Sequence, residues 1–262
     1  MPQVKVLENI FWVGVVDWNI RHFHGFTYST HRGTTYNAYL IIDKKIALVD
    51  TVHHPFAAEM IEKIKEIIDP SKIDYIIANH VESDHSGSIK EIIKLAPNAT
   101  VVGTENCKKG LEKHYFGHWK FQTVKTGDTL NLGERTLTFI EAPMLHWPDT
   151  MFTYIEKDAL LMPNDGFGQH LASSKRFDDE VNQNALMWEA AKYYTPHSCG
   201  GDALFPNQRQ VDCLSQVGYP YGSILQVAWQ TITFSAAKGG YRFVGRLDFG
   251  DERPLNGASV QC

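Results

Sequence analysis

Basic charge is not in excess: 25 Lys and Arg face 30 Asp and Glu among 262 residues, leaving a formal charge of -5. No electrostatic footprint for nucleic acid or an anionic membrane is present, which leaves small molecules or other proteins as partners. A long apolar run is missing too. The most apolar early stretch, "IFWVGVV", is bounded by Glu8 and Asp17 and lacks a basic start and a small-residue cleavage site. It reads as neither a signal peptide nor a membrane span. Cysteine is scarce: Cys107, Cys199, Cys213 and Cys262 show no CxxC spacing. That suits a reducing compartment rather than a disulfide framework, and cytoplasm is the expected location. Repeats and low-complexity tracts are also absent, and 43% hydrophobic content rules out disorder as the main theme.

What is there is an alternation of short β-like runs and helical ones as far as Tyr194. "NIFWVGVV", "TYNAYLII" and "KIALVD" are β-branched and aromatic, and the last ends at Asp50 before His53, His54 and Pro55. Met60, Ile61, Ile64, Ile67 and Ile68 then form a helical stripe, with Pro55 suited to its first turn and Pro70 to its stop. "DYIIAN" predicts a buried strand. A second helix carries Ile89, Ile92, Ile93 and Leu95, ends before Pro97, and has Ser86 or Ser88 available as a cap. "TVVGT", "RTLTFIEA" and "MFTYIE" predict strands, residues 105–115 a helix, and residues 180–194 a last helix with Leu186, Met187, Ala190, Tyr193 and Tyr194 on its core side.

Between the strand "DYIIAN" and the second helix lies "NHVESDHSGS", with His80, Glu82, Asp84 and His85 inside six positions. One buried His or one loop carboxylate is ordinarily a satisfied core group or a cap. Four together would each cost several kcal/mol if taken from water unpaired, roughly the price range of unpartnered polar groups, whereas a metal satisfies all at once. In an extended loop residues 80, 82 and 84 lean to one side, so three ligands can converge, while His85 points elsewhere and suggests a second ion. Further ligands are expected at later strand ends: His146 in "PMLHWPDT" and Asp165 in "LMPNDGFGQH". Strand ends are where α/β folds put chemistry.

These residues resemble the metallo-β-lactamase superfamily and, within it, the flavodiiron proteins. The superfamily's zinc-hydrolase pattern is H-x-H-x-D-H, and here Glu82 stands for the second His. A carboxylate is the harder ligand and biases the sites toward iron. "VGVVDWNIRHFHGF", "GTTYNAYLI", "MLHWPDT" and "NDGFGQH" carry the same resemblance, over about residues 8–194. It implies an α/β (α+β) fold, the four-layer αβ/βα sandwich, with His80, Glu82 and His146 on one iron, Asp84 and His85 on the other, and Asp165 bridging. His24 of "HFHGF" would lie just outside the ligands. The implied chemistry is reduction of O2 to water or of NO to N2O. Electrons would come from a rubredoxin or flavoprotein partner, in a homodimer whose flavin on one subunit serves the irons of the other. Two Fe ions are the implied cofactors, with FMN held by a flavodoxin-like domain in the family.

The chain departs from that pattern after Tyr194. No His-Gly pair supplies the last ligand of the second iron; His197 in "TPHSCGG" is too early and followed by the wrong residues. No phosphate-binding loop for FMN appears in the last part. The expected organisation is a lactamase-like diiron domain over residues 1–194 and an atypical tail over residues 195–262, truncated relative to the family. A shifted reading frame would explain so abrupt a break, and translation of the source DNA in the other frames tests it. The alternative is a genuine ending in which "SILQVAWQTITFS" and "YRFVGRLDF" complete the second sheet. Two other functional readings are a zinc-dependent ester or thioester hydrolase and a non-catalytic O2-sensing or degraded diiron domain.

Overall fold

Period-two segments pair into two main sheets in the computed structural model, which describes residues 2–23, 28–166, 168–197, 226–228 and 233–235. The first sheet has seven strands in the order Val4–Leu7, Ile10–Trp12, Tyr39–Ile41, Ala47–Val49, Tyr75–Ile77, Thr100–Gly103 and Phe121–Thr123. Its last four strands run parallel. Parallel neighbours place Asp50, Asn79 and Thr104 at one common edge, just beyond their carboxyl ends.

The second sheet runs Thr129–Asn131, Thr136–Glu141, Met151–Ile155, Leu160–Met162, Gln226–Ala228 and Thr233–Ser235. Its last two strands fall within "SILQVAWQTITFS", the first of them parallel to Leu160–Met162. "YRFVGRLDF" lies outside the described residues.

Strand alternation decides which layer each side chain joins. Leu40, Leu48, Ile76 and Val101 face one way, against Met60 and Ile64 of helix α1 (Ala57–Lys65), Ile89 and Ile92 of α3 (Ile89–Leu95) and Leu111 of α4 (Glu105–Tyr115). Their neighbours Tyr39, Ile41, Val49, Ile77 and Val102 face the other way, against Leu137, Phe139, Met151, Ile155, Leu160 and Met162 of the second sheet. Each such Ile, Leu or Phe contributes about 1.5–3 kcal/mol on leaving water. The outer face of the second sheet is buried as well, at Phe152, Tyr154 and Leu161. The result is the αβ/βα sandwich expected from the motifs.

Several details depart from the sequence reading. α1 closes at Lys65, so Ile67 and Ile68 follow it as half-buried residues. Leu95 is 37% exposed because the buried stripe of α3 runs Ile89, Ile92 and Ala96, at i, i+3 and i+7. Ser88 is the N-cap residue of that helix, but neither serine caps it with its side chain: the Ser88 hydroxyl donates to Val52 O and the Ser86 hydroxyl to Val81 O. α5 spans Gln183–His197, three residues later than expected at its start, because Asp178–Glu180 forms a separate 3-10 turn. Its stripe is Leu186, Ala190 and Tyr193, which leaves Met187 exposed. His24 lies outside the described residues, as do the side chains of Tyr194 and His197.

Candidate metal centre

The two sheets meet at Asn79. Its backbone N–H and side-chain amide donate to the two carboxylate oxygens of Asp50, at 2.8 and 2.9 Å. Thr153 Oγ1 donates to Asn79 Oδ1 at 2.7 Å, and Met151 N–H donates to Asn79 O at 2.9 Å. Buried polar groups that are fully bonded in this way fix position, because any displacement strands several of them at once. Burial pushes the Asp50 carboxyl up to about 6, against the pull of His85 and the Asn79 hydrogen bonds. The next residue is His80, completely buried, so its imidazole is delivered to the gap between the sheets.

From there the chain does not stay extended. Glu82 precedes α2 (Ser83–Ser86), and the helical turn separates residues that alternation would have put together. The convergence expected of positions 80, 82 and 84 is therefore corrected. One group consists of His80, Glu82, His146 and Asp165; the other of Asp84, His85 and Asp165. In each, one donor atom per residue lies within 4.8 Å of all the others. Asp165 belongs to both.

In the first group His146 Nε2 stands 2.9 Å from Glu82 Oε2 and 3.4 Å from Asp165 Oδ2, and His80 Nε2 stands 3.3 Å from Asp165 Oδ2. In the second, His85 Nε2 lies 3.2 Å from Asp84 Oδ2 and 3.0 Å from Asp165 Oδ1.

Fit to a cation follows from the atoms left over. Among the described residues His80 Nε2 and Asp165 Oδ2 are buried without a well-formed hydrogen bond, although charged neighbours stand 3.3–3.4 Å away. Without an ion the site must hold its charge on protons. Burial alone would push the imidazoles down, but the Asp149 hydrogen bond and the nearby Glu82 carboxylate carry His80 up to about 9. Asp165 and Glu82 carry His146 up to about 10, and Asp84 and Asp165 hold His85 well above its ordinary value. The partners respond in kind: the bonds from His146 and His80 overcome burial and bring Glu82 down to about 2. Divalent cations would replace those protons and leave neutral imidazoles as ligands. An O- and N-only donor set of this kind suits a borderline or hard ion such as iron.

Three contributors escaped the sequence reading. Asp149 Oδ2 accepts from His80 Nδ1 at 2.9 Å and from Val81 N–H at 2.7 Å, so it aims Nε2 at the centre. It is anchored in turn by Thr104 Oγ1, which donates to Asp149 O. A carboxylate three residues after a candidate His, in "HWPD", was the available signal. Tyr193, expected only as a core residue, donates its hydroxyl to Asp165 Oδ1 at 3.1 Å. Trp147 stands edge-on to His80, with ring centroids 5.2 Å apart, and walls that side of the site. His170 of the quoted "NDGFGQH" joins neither group; its Nδ1 bonds Thr34 Oγ1.

The family model for the "ODP family beta lactamase" matches residues 34–198. A nitric oxide reductase of Moorella thermoacetica is 58% identical over 193 residues, 73% of this chain and 48% of that protein. An anaerobic nitric oxide reductase flavorubredoxin of Salmonella arizonae is 46% identical, over 73% of this chain and 40% of its own. The chain thus spans about half or less of the length of these curated relatives. Among solved structures, rubredoxin oxygen:oxidoreductase of Desulfovibrio gigas superposes with a TM-score of 0.80 at 34% identity, over 89% of this chain and 57% of that one. The flavodiiron protein of Giardia intestinalis gives 0.79 at 33%, over 90% and 56%.

Proposed function

The chain belongs to the ODP family of β-lactamase-like domains, the lactamase-like part of flavodiiron proteins, and on that premise we propose that it is the diiron domain of an oxygen or nitric oxide reductase. His80, Glu82 and His146 would hold one iron, Asp84 and His85 the other, with Asp165 between them. The observation that carries the reading is the pair of buried ligand groups joined at Asp165, with His80 Nε2 and Asp165 Oδ2 without a well-formed hydrogen bond among the described residues.

Two ferrous ions held by these residues would supply one electron each to O2 or to NO. The protein's own part is positional. Asp149 holds the His80 ring with Nδ1 as donor and Nε2 as ligand. The Asp50–Asn79–Thr153 network fixes the strand end from which His80 projects. The Tyr193 hydroxyl neutralises part of the charge on Asp165. Trp147 excludes water on the His80 and His146 side.

Similarity to a nitric oxide reductase, a flavorubredoxin and a rubredoxin oxygen:oxidoreductase supports O2 or NO as substrate and a rubredoxin- or flavin-type donor. FMN would then reach the irons from the flavodoxin-like part of a homodimeric assembly. Among the described residues no helix is long and apolar enough to cross a membrane, and a cytoplasmic location is part of the proposal. The test is gas consumption by anaerobically iron-loaded protein with a reduced rubredoxin or flavodoxin-type donor. Uptake of O2 or NO that disappears in Asp165→Ala is expected; iron-loaded protein that takes up neither gas contradicts the reading.

A further inference from the structure

Beside the metal centre the oxidisable rings form two branches. One runs inward: Tyr193 bonds Asp165, its ring lies 5.4 Å from His170, and His170 lies 5.1 Å from Tyr28. Tyr28 is buried beside the buried Glu189, so this branch ends inside the protein. The other branch runs outward. Trp147 stands 5.2 Å from His80 and 5.8 Å from His146. Next come His114 at 6.4 Å, then Tyr115 at 6.1 Å from His114, then Trp119 at 6.3 Å from Tyr115. Trp147 and Trp119 are only partly buried and His114 is exposed, so this branch ends in water. Tyr115 also bonds Ser86 Oγ at 2.7 Å.

Two indoles and a phenol, linked through His114, thus lead from the candidate metal centre to the surface. We propose that Trp147, Tyr115 and Trp119 form a one-electron relay that supplies the centre from the surface when its regular donor is late. The proposal rests on the diiron reading above.

The balance is as follows. Reduction of O2 to two waters takes four electrons and four protons, and two ferrous ions give two electrons. Trp147 gives the third, its indole losing one electron and then its N–H proton to water. Tyr115 gives the fourth, losing its phenolic proton to water. The two remaining protons come from solvent. Two molecules of a small external thiol, meeting the partly buried Trp119 from solvent, then close to a disulfide and return two electrons and two protons to the oxidised rings.

The test is rapid-freeze EPR on iron-loaded, anaerobically reduced protein mixed with O2, in the absence of any flavin donor and with indole-deuterated Trp. A transient organic radical with Trp hyperfine structure is expected. It should be lost in Trp147→Phe, which keeps the aromatic packing, return as a Tyr radical in Trp147→Tyr, and persist longer in Tyr115→Phe because onward transfer is blocked. A radical unchanged in Trp147→Phe, or one abolished only by Tyr193→Phe, overturns the relay while leaving the diiron reading intact. Oxidation of the irons with no organic radical does the same. Failure to bind iron at all defeats the underlying reading, and the relay with it.

Discussion

Replacing Asp149 by Ala separates the positioning of the centre from the ligands themselves. Asp149 is 3% exposed and belongs to neither ligand group, yet one of its oxygens receives both His80 Nδ1 and the backbone N–H of Val81. Alanine leaves two buried donors unsatisfied, at about 1–3 kcal/mol each, so the metal-free protein should lose roughly 2–6 kcal/mol. That is a large share of the about 5–15 kcal/mol that typically holds a domain folded. The effect on the metal is separate. With Nδ1 no longer committed as a donor, the His80 ring can turn and present either nitrogen, and loss of such an outer partner typically weakens metal binding about 10–100-fold. Urea unfolding of the metal-free protein reads the first quantity, and competition with a chromophoric Fe(II) chelator reads the second. Asp149→Asn should fall between, since its amide oxygen can take both bonds but carries no charge. Chelator titrations of Asp149→Ala that superimpose on those of the unaltered protein would refute the reasoning.

Three further outcomes are expected. Glu82→His removes the hard ligand from the first group, and metal analysis after growth with both ions available should show the bound metal moving from iron toward zinc; an unchanged ratio contradicts the role given to Glu82. A Cβ at Gly87 would stand 2.3 Å from Ser83 O and 2.7 Å from His54 N, both backbone atoms, so Gly87→Ala should lower stability by about 1–3 kcal/mol in thermal unfolding, by the overpacking rule. Burial first, then the charges of Asp149 and Asp50, hold the Cys107 thiol well above its ordinary value near 9.0. The folded chain therefore keeps a proton that the unfolded chain releases, and this contribution is complete at neutral pH and lost as pH rises past that value. The loss is about 1.4 kcal/mol per pH unit, and Cys107→Ala should flatten that alkaline limb of the unfolding profile by the same slope.

Much of this architecture was legible in advance, for reasons that differ by residue. Strand alternation and the proline stops announced both sheets, and the density of His and acidic residues after "YIIA" announced the centre, because unpaired groups at such density have few physical alternatives. Asp84 was harder. Its side is set by the helical turn that begins at Ser83, and a four-residue helix leaves no periodic trace. Asp149 looked like an ordinary turn residue after Pro148, since what distinguishes it is a contact with His80, 69 positions away. The Asn79–Asp50 pair is of the same kind: each residue is common in loops, and only the parallel register of Ala47–Val49 with Tyr75–Ile77 brings them together. Leu95 and Met187 look core-facing when apolarity is read without its angle; a helix that meets the core along one stripe leaves the residue beside that stripe exposed.

The central claim is that crowded imidazoles and carboxylates coexist here because iron lies among them. The most direct measurement is the iron content per chain after anaerobic purification, in the unaltered protein and in Asp165→Ala. The account predicts two irons per chain in the first and loss of iron from both groups in the second, since Asp165 is common to them. Iron absent from the unaltered protein, or iron retained in full by Asp165→Ala, would contradict it.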